Sequence, residues 1–215
     1  KSSYDYHLYL QHPFEDQSGA RWLLNYPDGL WGLSIHSKNK KAGVTDFLVE
    51  LLYTMHQSGA EEVSDSTYGW DDYYNNYLYR GGWVYKGKVV GNPMLTLGQN
   101  EIREWTHIVN NRIFALHSGI EGHISTHFQY KILLTYSKNY GNYHDRDRSK
   151  KRGIEYNYGD GLSQLSYRLD LKSNNLLSKK NITAILSLIG DSGELYNNSK
   201  MIRIGIEWYY SKATN

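Results

Sequence analysis

The chain has 215 residues, with 24 Lys and Arg against 22 Asp and Glu, no cysteine, 3 prolines, 21 tyrosines and 6 tryptophans. The lack of cysteine excludes disulfide frameworks, thiolate metal sites, cysteine nucleophiles and iron–sulfur clusters, and a net charge of +2 gives no electrostatic case for nucleic acid as the main partner. A mean hydropathy of −0.66 without a long apolar run excludes helical membrane spans, but a membrane barrel stays open, because its strands alternate lipid-facing and lumen-facing side chains.

The chain starts at Lys1 without a charged and then apolar leader, so a processed protein or a piece of a longer one is expected. Period-two alternation then dominates. Tyr4, Tyr6, Leu8 and Leu10 oppose Asp5, His7, Tyr9 and Gln11; Trp31, Leu33 and Ile35 oppose Gly32, Ser34 and His36. From Val44 to Gln57, Phe47, Val49, Leu51, Tyr53 and Met55 share one side, with Glu50, Thr54 and His56 on the other. Phe47, Leu48, Leu51, Leu52 and Met55 also fit a helical stripe; strand is preferred because strands flank the segment. Over 110–121, Phe114, Leu116 and Ile120 face away from His117, Gly119 and Glu121.

The later segments are cleaner. Phe128 to Tyr136 and Leu165 to Leu171 alternate, with Gln129, Lys131, Leu133, Thr135, Ser166, Arg168 and Asp170 on the other side. Ile182 to Ile189 is almost continuously apolar, and Ile202, Ile204, Ile206, Trp208 and Tyr210 oppose Arg203, Gly205, Glu207 and Tyr209. Each segment approaches the ~9–11 residues of a tilted membrane strand. The connections alternate in length: long at 13–29, 58–107 and 139–161, short at 39–43, 122–123 and 174–180, and modest at 191–200. Short periplasmic turns and long outer loops characterise outer-membrane barrels. The expected fold is therefore all-β, an antiparallel transmembrane β-barrel of about eight strands in one domain over 1–215, placed in a bacterial outer membrane. A soluble β-sandwich is the competing architecture, but it gives no reason for the long loops to collect at one end or for the charges to pair on the polar face.

The 66–93 segment concentrates aromatic rings among polar groups. Trp70, Tyr73, Tyr74, Tyr77, Trp83 and Tyr85 provide flat faces for sugar rings. Asp71, Asn75, Asn76, Arg80 and Lys86 supply donors and acceptors for hydroxyl or acidic groups. These eleven residues form the expected polysaccharide-binding set; loop packing or an interfacial belt is the simpler role for many of the rings. The basic run at 144–152, with Arg146, Arg148, Lys150, Lys151 and Arg152, suits anionic polysaccharide or lipopolysaccharide phosphate; a solvated charge run explains it equally well. His7, His36, His56 and His117 fall on the polar face without metal-motif spacing, so no metal and no cofactor is expected. There is no nucleophile elbow and no phosphate loop, and the adjacent Asp71 and Asp72 do not provide the opposed carboxylates of glycoside hydrolysis.

Three runs, NYPDGLWGLSIHSK (25–38), TDFLVELLYTMHQSG (45–59) and YYNNYLYRGGWVYKGKVVGNP (73–93), resemble the Wzi-like capsule assembly family in its Bacteroidetes-type form. The resemblance covers most of residues 20–140, and the third run is its strongest element. It implies a non-enzymatic outer-membrane lectin that holds capsular or related polysaccharide at the cell exterior. It also implies a larger barrel with an N-terminal plug, of which this chain would be the C-terminal part. The short polar-face residues Gly32, Ser34, Gly119 and Gly205 agree, since they would leave a small barrel poorly filled. The expected partners are surface polysaccharide, outer-membrane lipid and lipopolysaccharide, and other outer-membrane proteins, with no nucleic acid. A porin-like channel, a rim hydrolase and a structural subunit of a surface complex are the alternatives.

Overall fold

The computed structural model describes residues 3–13, 25–39, 41, 43–57, 71–76, 78–79, 81–99, 106–142, 157–174 and 182–209. Eight antiparallel strands build one sheet: β1 (Tyr4–Gln11), β2 (Gly29–Ser37), β3 (Asp46–Tyr53), β8 (Ile113–His123), β9 (Phe128–Gly141), β10 (Asn157–Asn174), β11 (Ile182–Gly193) and β12 (Ser199–Trp208). They pair in that order as a meander. Two small hairpins, β4 (Val84–Tyr85) with β5 (Lys88–Val89) and β6 (Thr96–Gln99) with β7 (Thr106–Asn110), lie between β3 and β8. The expected strand segments thus map onto the sheet one by one, and the 47–55 segment is strand and not helix. The sheet is open: β1 and β12 are its edges and do not pair with each other, so these eight strands do not close a barrel among themselves, and the expected barrel is present only as an antiparallel sheet.

The two faces of the sheet are inverted relative to a protein folded in water. Tyr6, Leu8, Phe47, Leu116, Ile132, Leu134, Leu186 and Ile204 stand exposed on one face, Leu8 and Ile204 at 80%. On the opposite face Ser34, Ser137, Asp170, Thr183 and Ser187 are buried. Ile182 to Ile189, unreadable in the sequence, splits into Ala184, Leu186 and Leu188 on the apolar side and Thr183, Ile185, Ser187 and Ile189 on the polar side, as the register with β10 and β12 requires.

One row of lateral neighbours crosses the polar face through all eight strands: Tyr9, Gly32, Glu50, His117, Thr135, Ser166, Asp191 and Ser199. The Tyr9 hydroxyl donates to Glu50, His117 Nδ1 lies 2.7 Å from the Thr135 hydroxyl, and Ser166 and Ser199 donate to Asp191 at 2.5 and 3.2 Å. Gly32 makes the first of these links possible: a Cβ there would come within 2.1 Å of the Tyr9 ring, which crosses β2 at that point. The space expected to be empty at Gly32 is therefore filled by Tyr9. Elsewhere on this face Arg168 Nε donates to both oxygens of Asp170 at 2.9 Å, and Lys131 faces Glu121 at 3.6 Å.

The ends of the sheet differ. The strand connections at one end span 38–45, 124–127 and 175–181; those at the other span 12–28, 54–112, 142–156 and 194–198. The expected alternation of lengths holds except at 194–198, which is as short as the turns opposite, because β11 and β12 extend into the segment expected to be loop. For the same reason the 139–161 connection shrinks to 142–156. Tyr4, Phe128, Tyr130 and Trp208 sit near the short-turn end of the apolar face, with Tyr53, Phe114 and Tyr136 near the other.

The apolar core lies where the 71–112 segment folds over the long-loop end. Leu52, Ile113 and Ala115 of the sheet pack with Leu95 and Ile108 from above, and Leu30, Tyr74, Val84, Val89, Met94 and Leu97 surround them. Burying a side chain such as Ile108 contributes roughly 1.5–3 kcal/mol. The segment is thus a cap with its own hairpins, and not an irregular loop.

Candidate functional site

The cap is tied to the sheet by buried polar groups. Asp28 accepts from the His56 and Gln57 amides at 2.9 and 2.7 Å and from the Tyr73 hydroxyl at 2.9 Å. The same hydroxyl accepts from Asn25 at 3.0 Å, and His12 bridges Asn25 Oδ1 and the Asp28 carbonyl. On the far side Asn111 donates to Asp72 at 2.5 Å and to the Tyr73 carbonyl at 2.9 Å, while Gln57 donates to Asn111. Burial raises the Asp28 carboxyl above its ordinary value, opposed by the Gln57, His56 and Tyr73 hydrogen bonds. Burial, helped by the Asp28 charge, also drives the Tyr73 phenol far up.

This network separates the expected binding residues into two groups. Tyr73 is 1% exposed and Asp71 is buried, so their side chains belong to the anchor. Asn75 pairs with Ile108 as a strand would, donating to its carbonyl at 2.8 Å and accepting from its amide at 3.0 Å. Asn76 accepts from the Leu78 and Tyr79 amides, fixing a turn. The other group is presented: Trp83 and Tyr85 are 54% and 65% exposed, and Lys86 lies 5.4 Å from the Tyr85 ring centre. Trp70, Tyr77, Arg80 and the basic run at 144–152 lie outside the described residues.

Local backbone chemistry sets the presented rings. Lys86 and Gly87, both at positive φ, form the two-residue turn of the β4–β5 hairpin, as a type I′ turn requires. Tyr74 also has positive φ, and Gly82 at φ +50 packs against its carbonyl, where a Cβ would approach within 2.4 Å. The Trp83 amide donates to that carbonyl at 2.8 Å. Tyr74 and Trp83 consequently meet edge to face, 5.9 Å between centroids at 87°. Burial raises the Tyr74 phenol above its usual range, with a hydrogen bond to Asn92 opposing.

Beneath this aromatic pair lies a cavity of about 790 Å³. Its cap side is Tyr73, Tyr74, Trp83, Asn92, Pro93 and Met94; its sheet side is Gln11, Leu30, Glu50, Leu52, Ala115, His117 and Thr135. Aromatic faces above a floor that mixes Gln11, Glu50, His117 and Thr135 with Leu30, Leu52 and Ala115 suit a ligand with both C–H patches and hydroxyls. A second cavity of about 670 Å³ shares Gln11 and Glu50 with the first, and a third of about 370 Å³ shares Glu121, Lys131 and Leu133 with the second. All three open on the polar face. Among the described residues no group of three or more His, Asp or Glu is placed to hold a metal ion. Sequence reading placed Glu50 and His117 on the polar face but gave them no role in a site; only the lateral register brings them under the cap. His12, Asn25, Asp28, Gln57 and Asn111 were also missed, because their role depends on contacts across 13 to 57 residues of chain that no local pattern encodes.

Compared with family models, curated proteins and solved structures, the chain matches none.

Proposed function

We propose that this chain is part of a bacterial outer-membrane β-barrel of the capsule-assembly type, a non-enzymatic lectin that holds surface polysaccharide in the aromatic cavity under its cap. The observation that carries the reading is the inversion of the sheet: apolar side chains stand outward over eight strands while hydroxyls, histidines and ion pairs face inward. That distribution suits a lipid-facing wall around a polar lumen. Unpaired strand edges are untenable in lipid, so β1 and β12 pair with further strands in a larger barrel. The long-loop end, with its cap, then faces the exterior.

In this reading Trp83 and Tyr74 stack on sugar rings, and Tyr85 and Lys86 extend the contact outward. Combined Trp83→Ala and Tyr74→Ala substitution is expected to lower affinity for the cell's own surface polysaccharide at least about tenfold, the effect of roughly 1.4 kcal/mol. Cells carrying the variant should shed polysaccharide while the barrel stays inserted. Retention equal to the parent sinks the assignment of the cavity. A second reading, a porin-like channel, draws on the way successive cavities share lining residues along the polar face; steady conductance in planar bilayers would favour it, since a capped lectin should pass little current.

A further inference from the structure

The floor of the aromatic cavity has a defined charge. Glu50, His117 and Thr135 reach it from three adjacent strands, at one level of the polar row. The Tyr9 hydroxyl reaches across Gly32 to hold the Glu50 carboxylate, and His117 is held by Thr135. Among the described residues that line the cavity Glu50 is the one acidic side chain, and no Lys or Arg lines it. A carboxylate only accepts hydrogen bonds. It is matched by hydroxyl donors and, more strongly, by an ammonium, and a second carboxylate brought beside it in a partly enclosed site is repelled.

We infer that the cavity selects neutral or amino-bearing sugar residues and rejects uronic acids and other carboxylated sugars. Glu50 is the selecting group, and the Tyr9 hydroxyl only donates to it. This rests on the cavity being a glycan site. Anionic polymers would then be held, if at all, through a neutral or amino residue of their repeat.

The test is calorimetric titration of the full chain in detergent micelles with three oligosaccharides of equal length: a neutral glucan, a chitosan fragment and an oligogalacturonate. The expected order is chitosan fragment at least as tight as glucan, with the uronate at least about tenfold weaker. Glu50→Gln should bring the three within a few-fold of one another, whereas Tyr9→Phe, which keeps the carboxylate, should preserve rejection of the uronate. If the parent binds the uronate as tightly as the glucan, the inference is wrong while the glycan site stands. If the parent binds none of the three, the inference and the glycan reading fall together. The parent comparison alone decides the matter should Glu50→Gln not fold.

Discussion

The sheet and the cap at its end bury opposite kinds of side chain. In the sheet, Ser137 and Ser187 are inside and Leu8 and Ile204 outside; in the cap, Leu95 and Ile108 are inside, and Tyr85 and Lys86 project outward. One chain therefore follows two rules of burial. Apolar surface is driven inward only where water is the alternative; the cap obeys that rule, and the outward apolar face of the sheet departs from it, as the proposed lipid-facing wall would.

The sharpest way to break this contrast is to place one charge in each region. Leu134→Arg, in the middle of the apolar face between Ser118 of β8 and Tyr167 of β10, is expected to cost about 2–4 kcal/mol when folding is measured in lipid vesicles. Leu78→Arg, at a still more exposed leucine of the cap, should change stability by less than about 0.5 kcal/mol. Urea titration of vesicle-folded protein, followed by tryptophan emission, reads both. Equal small effects would mean that the apolar face does not meet lipid.

A second and smaller effect concerns the joint between the two regions. Asp28→Ala leaves the His56 and Gln57 amides and the Tyr73 hydroxyl without their acceptor. An unsatisfied buried donor costs about 1–3 kcal/mol, so the joint should lose on the order of 2–3 kcal/mol. Limited proteolysis should then cut within 54–112 while β8 to β12 stay protected. Uniform loss of protection across the chain would show that cap and sheet unfold as one unit.

How far the sequence foretold this division follows from the range of each interaction. Strand faces were legible because alternation is local: Phe128 to Tyr136 can be read without knowing what lies beside it. The helical stripe at Phe47 to Met55 was a genuine ambiguity, resolved in the fold by pairing with β2 and β8. The cap was legible as composition alone. Tyr73, Tyr74, Asn75 and Asn76 look alike in a sequence, yet one is buried in the anchor, one walls the cavity, one mimics a strand and one fixes a turn. The first three of those roles depend on Asp28, Asn92 and Ile108, far along the chain. Closure was illegible for a different reason, since period-two strands carry no count of how many neighbours complete a ring.

The smallest expected effect is a pH dependence of the joint, and its sign is fixed by Asp28. Burial, the largest influence, raises this carboxyl above its ordinary value despite the hydrogen bonds from Gln57, His56 and Tyr73. A raised folded value means that the docked cap holds the proton more tightly than the undocked chain does. The stabilisation linked to that proton is fully present below the ordinary carboxyl value of about 4 and is lost as pH rises through the folded value. Cap docking should therefore weaken from mildly acid toward neutral pH, measured as the rate of proteolytic cleavage within 54–112 with a protease active across that range. Asp28→Asn removes the charge and should flatten the profile. An unchanged slope in that variant would show that Asp28 is not the titrating group, and a slope of opposite sign in the parent would mean that the hydrogen bonds to the carboxylate outweigh its burial.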